Sequence, residues 1–260
     1  MRRYFKQFFR EKFRADTVII ICVYLMVPFM LAVMTLTRGT PGPDNQLTNG
    51  TVNPDHIIQQ SYGDNDSQMA SGEESNDTIV QDGGSGNDMQ DADGNEGDDY
   101  ILQRGKAGDD TQYASGWEGN DRISQVGGEG DDYMQIWGNE GDDKILQNGE
   151  DGDDDITADG GPGDDQVTIL GGDDSGGGES DHITYYCSEG NDKVFVDGGP
   201  GYDILCIDGC DECEAGSTRQ SSVIRSPNGL AMSCNGTFTE GNTSFIVRRV
   251  EECQFGSCGR

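Results

Sequence analysis

Aspartate recurs along this chain at a fixed interval of eleven residues, and carboxylates repeated at regular spacing can serve as ligands for hard cations. The positions are Asp66, Asp77, Asp88, Asp99, Asp110, Asp121, Asp132, Asp143, Asp154 and Asp165. A five-residue insertion within 171–181 delays the next copy to Asp181, after which Asp192 and Asp203 resume the count. Glycines stand five and two residues earlier: Gly94 and Gly97 before Asp99, Gly105 and Gly108, Gly116 and Gly119, Gly127 and Gly130, Gly138 and Gly141, Gly149 and Gly152, Gly160 and Gly163. They are expected to supply the positive φ angles of a tight turn and to let neighbouring turns approach closely. Such a turn exposes backbone carbonyls, and the closing aspartate adds a carboxylate. Calcium takes six to eight oxygens of this kind, so a like turn stacked above would complete the shell. Thirteen turns, each paired with the one two repeats on, allow at most about eleven sites.

The residues that must position these turns follow each aspartate. Five of them alternate apolar and polar, as in DDYILQ (98–103) and DDKILQ (142–147), which is the pattern of a short strand. One repeat is therefore a turn and a strand, and two repeats make one flattened coil of 22 residues. A second period supports the coil. Two places after the aspartate the residues run Gln68, Ile79, Gln90, Ile101, Gln112, Ile123; four places after it they run Ala70, Gln81, Ala92, Gln103, Ala114, Gln125. Both places share a strand face. The interior is thus expected to hold an Ile/Ala ladder beside a glutamine ladder, turning apolar from Met134 onward. The competing arrangement turns the glutamines to water and buries Val80 and Leu102 instead.

With these residues in place, the repeat resembles the repeats-in-toxin (RTX, hemolysin-type) calcium-binding family, whose nonapeptide is G-G-x-G-x-D-x-U-x. The resemblance covers residues 61–207. It implies an all-β fold, a right-handed parallel β-roll (β-solenoid) of about thirteen repeats with calcium, Ca2+, in the turns. The family's aspartate ligand falls on the thirteen aspartates above, and its carbonyl-donating glycines on the glycine pairs. Some residues depart from the pattern. The repeat is eleven rather than nine residues, which implies longer strands, and Ser61, Asp64, Ser75, Glu179 and Cys187 stand where it has glycine. Members exported directly from the bacterial cytosol usually lack an N-terminal hydrophobic signal and cysteines, whereas this chain has both.

Composition narrows the class further. Forty glycines and 32% hydrophobic residues cannot build a large oily interior. Residues 61–207 carry 38 acidic and 5 basic side chains, a block that repels nucleic acid and draws multivalent cations. Taken alone, that balance reads as a disordered acidic polymer; thirteen copies in register argue against it. Thr17 to Leu36 is uncharged and long enough to cross a bilayer, and six basic residues before it favour a cytoplasmic N-terminus. A cleaved signal peptide is the rival reading, and both send the repeats out of the cytosol. The expected organisation is a basic cytoplasmic tail (1–16), a transmembrane signal-anchor (17–37), a linker (38–60), the β-roll (61–207) and a cysteine-rich cap (208–260).

Seven cysteines crowd into the last 74 residues: 187, 206, 210, 213, 234, 253 and 258. In an oxidising compartment they are expected to form up to three disulfides, the alternative being zinc at the Cys210/Cys213 pair. Strands are expected at 222–225 and 244–250. Sequons at Asn49, Asn65, Asn76, Asn235 and Asn242 point to a glycoprotein. No HExxH or GxSxG occurs, and His182 sits at a variable strand position. The outward row Thr78, Tyr100, Arg122, Lys144 and Gln166 forms no threonine ladder of the kind ice binding would use. The function expected is a non-enzymatic, membrane-anchored extracellular module for adhesion or assembly, with a protein or glycan partner at its surface. The alternative is an accessory subunit of an enzyme or larger complex, or a secreted protein.

Overall fold

The computed structural model describes residues 34–172, 179–209, 236–240 and 243–255, and among these the regular structure is all strand. In chain order β1 (Met34–Arg38), β2 (Asn45–Thr51) and β3 (His56–Gln60) come first. Eight strands of eight residues follow: β4 (Ser67–Glu74), β5 (Thr78–Ser85), β6 (Met89–Glu96), β7 (Tyr100–Ala107), β8 (Thr111–Glu118), β9 (Arg122–Glu129), β10 (Tyr133–Glu140) and β11 (Lys144–Asp151). Then come β12 (Asp155–Asp159), β13 (Gln166–Gly172), β14 (His182–Tyr186), β15 (Lys193–Asp197) and β16 (Ile204–Asp208). The C-terminal part holds β17 (Gly236–Glu240), β18 (Thr243–Arg248) and β19 (Glu252–Phe255).

Odd-numbered strands up to β15 stack in one sheet, sheet A, which β18 and β17 complete; even-numbered strands up to β16 and β19 form sheet B. Pairing is parallel throughout, except for the β17–β18 hairpin. The register is one coil of 22 residues, as in Ile79↔Ile101 and Ile101↔Ile123. Across the insertion the offset grows, pairing Val167 with Val194 without breaking the ladder. The fold is a parallel β-solenoid of two unlike sheets.

Between the sheets lies a narrow core. Ile57, Ile79, Ile101, Ile123 and Ile145 line sheet A, and Ala70, Ala92 and Ala114 line sheet B. Beside them Gln59, Gln81, Gln103, Gln125 and Gln147 form one amide ladder, and Gln68, Gln90 and Gln112 another; all eight are fully buried. Each Nε2 uses its two hydrogens. Gln103 donates one to Gln81 Oε1 (2.8 Å) and one to the Tyr113 carbonyl (2.7 Å), and Gln125 donates to Gln103 Oε1 (2.8 Å). The ladders stop where Met134, Ile156 and Ile169 replace glutamine, leaving Gln112 Oε1 and Gln147 Oε1 as end atoms without a donor. The glutamines face inward, as the 22-residue period predicts. They are tolerated there because stacking pairs the buried amide donors with acceptors.

Two boundaries differ from the sequence reading. Residues 38–60 are not a linker: β2 and β3 form the first full coil, with Asp44 and Asp55 continuing the eleven-residue count backward. The expected membrane segment lies outside the described residues except for its last positions, which enter β1 and pair with β3. No helix among the described residues is long and apolar enough to cross a membrane. At the other end, β18 takes up the strand expected at 244–250 as far as Arg248, while the strand expected at 222–225 lies outside the described residues.

Candidate metal centre

Each closing aspartate sits at a corner where the chain passes from one sheet to the other. The glycine two places before it has a left-handed backbone, with φ of 135° at Gly97 and 146° at Gly119. Asp64 (60°) and Ser75 (81°) keep that conformation without glycine. The second left-handed residue is not the glycine five places before, as expected, but its successor: Asn95 (76°), Lys106 (90°), Trp117 (76°) and Glu150 (75°). Glycine is needed at the fifth place for room. A methyl at Gly105 would overlap the Asp110 carboxylate and come within 2.7 Å of the Gly127 carbonyl oxygen on the next coil. The same holds at Gly94 with Asp99 and the Gly116 carbonyl.

The corner turns the closing carboxylates inward, so all thirteen are at most 4% exposed. Each Oδ1 from Asp66 to Asp203 except that of Asp192 accepts the main-chain N–H of the aspartate one coil earlier at 2.6–3.0 Å; Asp99 N donates to Asp121 Oδ1 (2.7 Å), and Asp110 N to Asp132 Oδ1 (2.7 Å). Asp192 Oδ1 accepts from Asp165 N at 3.2 Å. Oδ2 of Asp77, Asp88, Asp99, Asp110, Asp121, Asp132, Asp143, Asp165 and Asp203 is buried with no hydrogen-bond donor. Burial pushes these carboxyls up, to about 6 at Asp77, Asp88, Asp121 and Asp203 and to about 7 at Asp99, Asp110, Asp132, Asp143 and Asp165. The main-chain donor opposes that shift, and neighbouring carboxylates add to it.

Chain ends are treated differently. Thr40 donates its N–H and hydroxyl to Asp44 Oδ2, and Thr51 does the same for Asp55. At the far end Tyr185 Oη (3.0 Å) and Thr243 Oγ1 (3.1 Å) donate to Asp192 Oδ2. Asp192, counted in the sequence as a metal ligand, therefore has its second oxygen taken by hydroxyls. The row of donor-less oxygens on that edge, from Asp77 to Asp165, is closed by hydroxyls at both ends. Ser61, in place of a glycine, brings a hydroxyl beside Asp66 that draws its carboxyl partly back down. Asp154 and Asp181 stack in the same ladder through Oδ1.

A second ladder escaped the sequence reading. From Asn65 to Asp164 the residue just before the closing aspartate is exposed and accepts the main-chain N–H one coil later. Asp98 Oδ1 takes Asn120 N (2.9 Å), Asn120 Oδ1 takes Asp142 N (2.9 Å), and Asp142 Oδ1 takes Asp164 N (2.9 Å). Its polarity is opposite to the inner ladder. Only Asp and Asn combine a short side chain with an acceptor oxygen at that reach, so the [DN]-D doublet was the available signal. His182 is exposed on β14 beside Asp155 (3.7 Å) and takes no part in either ladder.

The donor set suits a hard cation. Each corner from Asp77 to Asp143 offers one carboxylate oxygen without a donor, with a glycine carbonyl of the next coil at the same glycine surface. Among the described residues no three His, Cys, Asp or Glu side chains converge, so backbone carbonyls and water would supply the remaining ligands. No protein-family model matches this chain, and no curated protein or solved structure matches it.

Proposed function

We propose that this protein is a calcium-binding rod, a non-enzymatic surface module that calcium makes rigid for adhesion or assembly. The observation that carries the reading is the row of buried aspartate oxygens without donors. A buried carboxylate in that state is costly unless it is protonated or meets a cation. The aspartates hold the ion through Oδ2, while Oδ1 keeps the corner closed by its bond to the preceding coil. Bound calcium would supply positive charge inside a region that carries 38 acidic and 5 basic side chains. The RTX-like repeat and the right-handed coil it implies agree with this reading. In the same proposal residues 17–37 anchor the chain, with the repeats extracellular or lumenal. The C-terminal cap is disulfide-linked; Cys187, Cys206 and Cys253 are each disulfide-bonded, which supports it.

Circular dichroism of the full-length chain in nonionic detergent, titrated with calcium after chelation at pH 7.5, tests the proposal. The expected result is a coil-to-sheet transition with calcium and none with equal magnesium, whose ~2.0–2.1 Å bonds and rigid octahedron suit carbonyl-lined corners poorly. Full sheet signal in excess chelator at pH 7.5 would overturn it.

A further inference from the structure

The two outer faces of the solenoid differ in charge. Arg104, Arg122, Lys144, Lys193 and Arg248 lie on sheet A, point outward and are exposed. Lys106, also there, pairs with Asp82. No Lys or Arg lies on any strand of sheet B. Its outer face instead carries Asp91, Asp93, Asp155, Asp159 and Asp208. Thus the basic side chains of the repeats, few as they are, all fall on one side of a chain that is acidic elsewhere. Chance placement does not favour that, since each coil offers equal outward positions on both sheets.

Each face also has an apolar component. Along the middle of sheet A run Ile58, Val80, Leu102, Leu146, Phe195 and Ile246, with Leu146 40% and Ile246 44% exposed. Sheet B presents Leu47 (72% exposed), Met69 and Met89, and an edge-on Tyr113–Tyr133 pair with centroids 6.0 Å apart. Both faces repeat at the same coil spacing, so the basic face of one copy, with Arg122, Lys144 and Lys193 in one register, can lie against the acidic face of another, whose carboxylates stand on β6, β12 and β16. Eight strands at ~4.8 Å by five residues at ~3.3 Å give a footprint of roughly 650 Å² per partner. Twice that lies at the lower end of specific interfaces, ~1,200–2,000 Å² in total.

We infer that sheet A of one copy docks on sheet B of a second copy of this chain. The contact joins two different faces, so it does not close on itself and lines rods up side by side in an open array. The opposite charges of the two faces set the orientation and suppress like-face pairing.

Sedimentation velocity of the full-length chain in nonionic detergent with calcium tests this, using Arg122→Glu/Lys144→Glu and Asp91→Lys/Asp155→Lys variants whose fold is checked by circular dichroism. The wild-type chain should self-associate, and should do so more weakly in 0.5 M salt. Each reversed variant alone should associate at least about tenfold more weakly, and an equal mixture of the two should recover association. Neutral Arg122→Gln/Lys144→Gln should fall between wild type and reversal, and it serves if a reversed variant fails to fold. A monomeric wild type, association untouched by reversal, or a mixture that does not recover would each overturn the inference. Capture by phosphatidylserine vesicles without self-association would overturn it in favour of a lipid partner.

Discussion

Replacing Gln103 by isoleucine and replacing Gln147 by isoleucine are the same chemical change in the same sheet, yet the ladder predicts unlike outcomes. Gln103 lies mid-ladder: it donates to Gln81 Oε1 and to the Tyr113 carbonyl, and accepts from Gln125. Isoleucine there takes the donor from the Tyr113 carbonyl, as Gln147→Ile does at Thr157, and in addition strands Gln81 Oε1 and one Nε2–H of Gln125 inside the core. An unpaired buried polar group costs about 1–3 kcal/mol, so the loss is about 2–6 kcal/mol. Gln147 is the last rung, and its Oε1 already lacks a donor. Isoleucine there passes that role to Gln125 Oε1, creates no additional stranded amide, and stacks on Ile169. Only the Thr157 carbonyl loses a donor (3.0 Å), a cost of about 1 kcal/mol. Urea unfolding of the full-length chain with saturating calcium would measure both, read as midpoints at constant slope. Equal losses for the two variants, or a larger one for Gln147→Ile, would refute the ladder as the source of order in the core.

Other consequences concern the corners. Nine closing carboxyls, those from Asp77 to Asp143 and those of Asp165 and Asp203, are raised to about 6–7 in the folded chain, above the ~3.9 of an unfolded aspartate. The neutral form is the one the metal-free fold prefers, so its stability is fullest below about pH 4 and is lost as pH rises through 6–7. Metal-free protein should therefore melt at higher temperature at pH 5 than at pH 8; the reverse order in thermal scans would contradict the burial of these groups. Gly105→Ala places a methyl against Asp110 and the Gly127 carbonyl and should cost about 1–3 kcal/mol together with calcium affinity, whereas Gly42→Ala, with open space around it, should change neither. Calorimetric titration of the pair checks this, and equal affinity for calcium would count against a site at that corner.

The repeat was legible from spacing alone. An aspartate every eleven residues, a strand-like alternation after it and a Gln/Ile exchange every twenty-two give a two-sheet coil; that the glutamines rather than Val80 and Leu102 lie inside was decided by the structure. The first coil was legible too: Gly39, Gly42 and Asp44 keep the pattern, but prolines at 41 and 43 resemble a linker and masked the count. The cap was less so, because β18 joins sheet A beside β15 only after a long excursion of the chain. What tertiary structure decided is which atom of each aspartate is spent and which is left over. Oδ1 is spent because the next coil stands where its carboxylate reaches the previous main-chain N–H. At Asp192 the second oxygen is spent as well, by Tyr185 seven residues away and Thr243 fifty-one residues away, a meeting that no local spacing encodes. The sidedness of charge has the same origin. Alternate repeats are neighbours in sequence but lie on opposite faces in space, so cations scattered along the chain become one surface only when the coil is wound.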